Sequence, residues 1–114
     1  MKISDIQSLD GFTCLQSEYV DDFVLGGYTS DLLSDVMAHA DEGSVLITIQ
    51  AHKNTVAVSS LAGVSTIIVC NNRSATDDML EAAREQGIAV FQTADNQFRT
   101  SVLIAQHLAS CPAR

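Results

Sequence analysis

The sequence has no Trp and few aromatic residues of any kind: two Tyr and four Phe, 5% of the chain. Any core must therefore be aliphatic, built from Val, Ile, Leu and Ala. Proline occurs once, so the chain carries little rigid punctuation. Cysteine occurs three times, as Cys14, Cys70 and Cys111. An odd, widely spaced set does not read as a disulfide framework or a zinc site, and a reducing cytoplasm is the expected location. Basic residues are scarce, six Lys and Arg against 14 Asp and Glu, for a net charge of −8. Without a basic run or a set of stacking aromatics, nucleic-acid binding is not expected, and the charge repels anionic membrane surfaces. No apolar run approaches the roughly 20 residues that span a bilayer. The polar N-terminus MKISDIQSLD does not read as a signal peptide.

What is present suffices for one domain. A chain of 114 residues buries roughly two thirds of its unfolded surface without help from metal or disulfides. The expected domain covers residues 1–110, with 111–114 as a loose tail.

KISDIQSL spaces Ile3, Ile6 and Leu9 as one helical face, with Ser4 as a cap. FTCLQ reads as a strand, and DFVLGGY as a second one. Its Gly26 and Gly27 suggest a bulge or a close backbone approach. Thr29 or Ser30 caps the next helix, SDLLSDVMAHA, whose apolar face is Leu32, Leu33, Val36, Met37 and Ala40. VLITIQ and STIIVC are continuous apolar runs, as expected of strands covered on both faces. Between them NTVAVSSLAG reads as a short helix ending at Gly63. SATDDMLEAAREQG is the clearest helix, with Ser74 or Thr76 as cap, Asp77 and Asp78 in its first turn and Gly87 as its stop. IAVFQT is the last strand. Asp95 or Asn96 opens a final helix with Phe98, Val102 and Ala105 on one side. Strand and helix thus alternate from Asp22 onward. The expectation is an α/β fold with a mostly parallel central sheet flanked by helices.

Such sheets bind ligands outside the carboxyl ends of their strands. Those ends bring forward Thr29, Ser30, Gln50, His52, Lys53, Asn54, Asn72, Arg73 and Thr93 as candidate ligand-binding residues. The segment QAHKNT lies in the longest acid-free window, Gly43 to Thr76, and that window holds Lys53 and Arg73. Helix starts favour anions, so the expected ligand is a small anionic or nucleotide-like molecule. A plain polar turn remains the alternative for QAHKNT. His52 reads first as a backbone-bonded turn residue, and after that as a ligand contact or a general base. No second catalytic member is fixed beside it, so no catalytic residue, metal or cofactor is assigned. Cys70 reads as an inert buried thiol, or as one whose pKa the nearby Arg73 lowers.

The run DFVLGGYTSDLLSDVMAHADEGSVLITIQAHKNTVAVSSLAGVSTIIVCNN, followed by EAAREQGIAVFQTADNQF, resembles the DRTGG domain family, and the likeness extends from about Ile3 to Leu108. The resemblance implies a small α/β domain with a regulatory or ligand-binding role, free-standing or beside other modules, and a homodimer. It also implies that the signature turn follows the central strand, where this chain reads QAHKNT. Lys53 stands in for the signature's Arg and Asn54-Thr55 for its small polar end, but His52 replaces the acid. The functional expectation is a non-catalytic sensor of a small ligand. The alternative is a structural or interaction module, acting as a homodimer or docking subunit through an apolar strip left on a helix.

Overall fold

Val45, Leu46 and Ile47 alternate between two covered faces, and so do Ile67, Ile68 and Val69; all are buried. These two β-branched runs form the interior strands of the sheet. The computed structural model describes residues 1–110. In chain order its elements are α1 (Ile3–Gln7), β1 (Phe12–Gln16), β2 (Gly26–Thr29), α2 (Leu33–His39), β3 (Ser44–Thr48), α3 (Lys53–Ala62), β4 (Thr66–Val69), α4 (Asp77–Gln86), β5 (Ala89–Thr93) and α5 (Gln97–Ser110). The proposed tail at 111–114 and Cys111 lie outside the described residues.

The strands pair in the order β1-β5-β4-β3-β2. From β2 to β5 every pairing is parallel, as the βαβ alternation predicts. β1 departs from this: it pairs antiparallel to β5, so the sheet is mixed. Its position also moves the middle of the sheet. β4 is the central strand and β3 its neighbour, so QAHKNT follows the strand beside the centre rather than the central one.

Each face of the sheet has its own core. On one, Val45, Ile47, Ile68, Cys70, Ala89 and Phe91 meet Ile3 and Ile6 of α1 and Ile104 of α5. On the other, Leu46, Ile67, Val69 and Val90 meet Val36 of α2, Val56 of α3, and Met79 and Ala83 of α4. Each large side chain so buried contributes about 1.5–3 kcal/mol.

The helix ends follow from local chemistry. Thr76 caps α4, its hydroxyl accepting from the Met79 N–H at 3.3 Å. Gly63 and Gly87 close α3 and α4 in the left-handed region, at φ 78° and 68°. Three sequence expectations are corrected. Lys2, not Ser4, is the N-cap of α1, and its N–H donates to Asp5 Oδ2 at 2.8 Å. Ser4 lies inside the helix and its hydroxyl donates to Asp21. α2 starts after Leu32, which is exposed together with Met37; only Val36 of its expected face is fully buried. On α5 the expected face is the outer one: Phe98 is 76% exposed and Val102 43%, while Thr100 and Ile104 are buried.

Candidate functional site

The carboxyl ends of β2 to β5 lie along one edge of the sheet, because parallel strands all finish on the same side. The sequence-derived candidates fall on the loops that leave this edge. Direct hydrogen bonds tie them into two clusters.

The first cluster joins the ends of β2 and β3. Gln50 Nε2 donates to the Asp31 carbonyl at 2.8 Å. A carbonyl only accepts, so this contact fixes which end of the amide is nitrogen. Gln50 Oε1 therefore faces His52 Nε2 at 3.0 Å, and that ring nitrogen carries the proton. In the neutral ring Nδ1 is left as an acceptor. The turn itself is held by threonines: Thr48 Oγ1 accepts the Gln50 N–H at 3.1 Å, and Thr55 Oγ1 donates to the Gln50 carbonyl at 3.0 Å. Ser30 Oγ accepts the Leu32 N–H at 3.1 Å and so shapes the entry to α2.

The second cluster joins the ends of β4 and β5. Asn71 and Asn72 both adopt positive φ, 59° and 54°. Asparagine tolerates this region better than most residues. Their N–H groups donate to the carbonyls of Asp95 at 2.9 Å and Thr93 at 2.8 Å. The Gln92 amide donates to the Arg73 carbonyl at 2.8 Å. Thr93 is buried, and its Oγ1 accepts the Asp95 N–H at 3.3 Å. Arg73 reaches solvent and makes no salt bridge among the described residues.

Two candidates point away from each other. Thr29 turns to the α5 face, where its Oγ1 lies 2.6 Å from Ser101 Oγ. Lys53 turns to the opposite face and borders a groove between α3 and α4 with Val56, Ser60, Ala82 and Glu85. Its charge, after the hydroxyl of Thr76, helps hold the Asp78 carboxyl below the usual carboxylate range. Asn54 is exposed beside it.

The helix starts along this edge differ in what they leave open. α4 is capped by Thr76 and carries Asp77 and Asp78 in its first turn. At α5, Asn96 Oδ1 accepts the Arg99 N–H at 2.9 Å. α3 begins at His52 with no side-chain cap and no acid in its first turn, and its first residue is Lys53. Free N–H groups, the positive end of the helix dipole and a basic first residue thus coincide at the start of α3.

Cys70 is fully buried and its Sγ donates to Thr100 Oγ1 at 3.5 Å. Burial pushes its thiol up, so it belongs to the core and Arg73 does not activate it.

No family model matches the sequence, and no curated protein matches it. Among solved structures, the chain is similar to the CBS and DRTGG domains of the regulatory region of Clostridium perfringens pyrophosphatase, complexed with the activator diadenosine tetraphosphate. The TM-score is 0.71 at 17% sequence identity. The fold is DRTGG-like. The match covers 91% of this chain but 46% of that one, so the chain spans about half the length of the structure it resembles. Within this fold, QAHKNT runs from the β3–α3 connection into the first turn of α3 and belongs to the first cluster.

Sequence reading missed Gln92. Its signal was a polar residue next to the end of the otherwise apolar strand AVFQT, where a side chain can reach the neighbouring loop. It also missed Asp31, whose backbone carbonyl rather than its acid holds Gln50.

Proposed function

We propose that this domain is a non-catalytic regulatory module that senses a small anionic or nucleotide-like ligand at the carboxyl ends of its parallel strands. The observation that carries the reading is the start of α3, with no side-chain cap, no acid in its first turn and Lys53 as its first residue, in a protein of net charge −8. His52, Lys53 and Asn54 approach the ligand from that helix start, and Asn72 and Arg73 from the next loop. Gln50 and Thr93 hold these loops in place, while Thr29 and Ser30 fix the entry to α2 and the contact with α5. The activator nucleotide bound by the similar pyrophosphatase region supports the ligand class.

The test is thermal unfolding with ATP, diadenosine tetraphosphate and acetyl phosphate. A ligand at a hundred times its Kd adds about 2.7 kcal/mol to the native state. For a domain of this size that raises Tm by roughly 10 °C or more. Lys53→Ala removes a charge-assisted contact and weakens binding about tenfold or more. A flat Tm across the whole series refutes the reading.

A second reading rests on a separate observation. Phe98 and Val102 form an exposed apolar strip on α5, and that helix contains no acid. A helix without acids lowers the repulsion between two acidic copies that meet there. We infer a homodimer through this strip. Light scattering is expected to give twice the chain mass for the native protein and the single mass for Phe98→Glu. A native monomer at high concentration rules the dimer out.

A further inference from the structure

α5 carries an exposed apolar ridge, Phe98 and Val102, and the same helix borders a hollow. The hollow is an apolar cleft of about 210 Å³ between β2 and α5. Gly27 and Ile47 line its sheet side, and Ile104, Ala105 and Leu108 its helix side. Before β2 the edge of the sheet is covered by the N-terminal segment: the Ile3 N–H donates to the Asp22 carbonyl at 2.9 Å, and the Val24 N–H to the Met1 carbonyl at 2.8 Å. Gly27 comes after this cover and is exposed.

Nothing inside the chain demands glycine at position 27. Its φ is not positive, and an added Cβ would meet its nearest neighbour, Val45 Cγ1, at an ordinary 3.6 Å. The space is therefore available to a group from outside. A cavity of about 150 Å³ holds a benzene ring, so this cleft has room for a phenyl group. Its polar lining offers no donor to an anion. The Ser101 hydroxyl donates to the Gln97 carbonyl at 2.6 Å. The 2.6 Å contact between Thr29 and Ser101 must then use the Thr29 proton, since each hydroxyl has only one.

The spacing of ring and hollow selects the occupant. Phe98 and Ala105 are seven residues apart, so they share one face of α5, two turns and about 10 Å from each other. A two-fold axis beside Ser101 and Val102 that sets two α5 helices antiparallel brings each Phe98 over Ala105 of the other copy. Val102 then meets Ser101 at the axis. Ser101, Ala105 and Ala109 follow one another at helical spacing, and their small side chains let the two helices approach. The charges agree. α5 has no acid, and Asp95, just before it, lies 3.9 Å from Arg99 of its own copy. A lone apolar side chain of another protein would fill the cleft but leave Phe98 and Val102 in water; a second copy covers both.

We propose that Phe98 of each copy enters the Gly27 cleft of the other, with the two α5 helices antiparallel, an arrangement that rests on the homodimer reading and gives it a register. The contact is isologous, so one pair of side chains is used twice. Both rings leave water, and the glycine in β2 is explained as the space that receives them.

The probe is the full chain with para-benzoylphenylalanine in place of Phe98, which keeps an aromatic knob and cross-links under near-ultraviolet light to what it touches. Mixing unlabelled and isotope-labelled copies identifies links between copies by mass spectrometry. The expected link joins position 98 of one copy to Gly27 or to the segment Ala105 to Leu108 of the other. Gly27→Val fills the cleft and is expected to weaken the dimer about tenfold or more in analytical ultracentrifugation, with the circular dichroism of the native fold. If that variant unfolds, Gly27→Ala takes its place. A dimer that the Gly27 variant leaves at full strength overturns the register while the homodimer stands. Links from position 98 only to Phe98 and Val102 of the other copy do the same. A native protein that is monomeric at high concentration overturns both the register and the homodimer.

Discussion

Phe91→Ala is expected to destabilise the domain by about 3–5 kcal/mol, the range for deleting a fully buried aromatic ring. Phe91 is 0% exposed and the largest of the fully buried side chains. It stands opposite Ile68 of β4 and Cys14 of β1, so its ring lies where the parallel and antiparallel parts of the sheet join. Ile3, Ile6 and Ile104 belong to the same cluster, and neighbours drawn from four elements do not easily collapse into the gap. For a domain of this size the loss lowers Tm by more than about 10 °C. Urea unfolding should show a lower midpoint with an unchanged m value. Val20→Ala is the internal control: it truncates a side chain that is 81% exposed and should change stability by no more than about 0.5 kcal/mol. Similar losses at both sites would mean that Phe91 is not the buried centre of its cluster.

A second large effect separates two reasons for a glycine. Gly63 and Gly87 close successive helices with nearly the same backbone, φ 78° and 68°. Alanine at Gly87 meets nothing within 4 Å, so Gly87→Ala carries only the cost of a left-handed residue, about 1 kcal/mol. Alanine at Gly63 meets the same backbone cost and in addition places its Cβ 2.8 Å from Glu42 Cγ and 3.4 Å from Glu42 Cα. The Gly63 carbonyl also accepts the Gly43 N–H at 2.8 Å, so the chain cannot retreat without loosening the start of β3. Gly63→Ala is therefore expected to cost about 2–3 kcal/mol, clearly more than Gly87→Ala. Equal melting points for the two variants would show that Glu42 yields freely.

The interior strands were legible because burial on both faces leaves no choice of residue: TIIV is buried at every position, and so is SVLIT. α4 was legible because Thr76 and Gly87 carry their own backbone chemistry. α5 was misread because it has two stripes that a periodicity argument cannot rank. Phe98, Val102 and Ala105 are the more apolar, but the helix lies over β2 and β3, where Thr100 finds Cys70 and Ile104 fills the core. The candidate site was legible as a location, since the loop order places residues at one edge of a parallel sheet. Which face each side chain takes was not. Thr29 and Lys53 diverge because Thr29 turns to the face covered by α5 while α3 packs with α2 and α4 on the other, a three-dimensional fact with no local signature. The tie between Gln50, Asp31 and His52 also spans two loops, 19 residues apart at its longest step.

The antiparallel pairing of β1 has a consequence for how the chain is made. The domain's first described strand, Phe12–Gln16, finds its partner only in its last, Ala89–Thr93. Until then its edge groups and Phe12 have no sheet to join. Loop closure across that span comes before any reward from the pairing, so β1 should dock late, after synthesis of β5. A nascent chain stalled before β5 would expose a strand able to pair elsewhere, which makes that interval the one most in need of a chaperone.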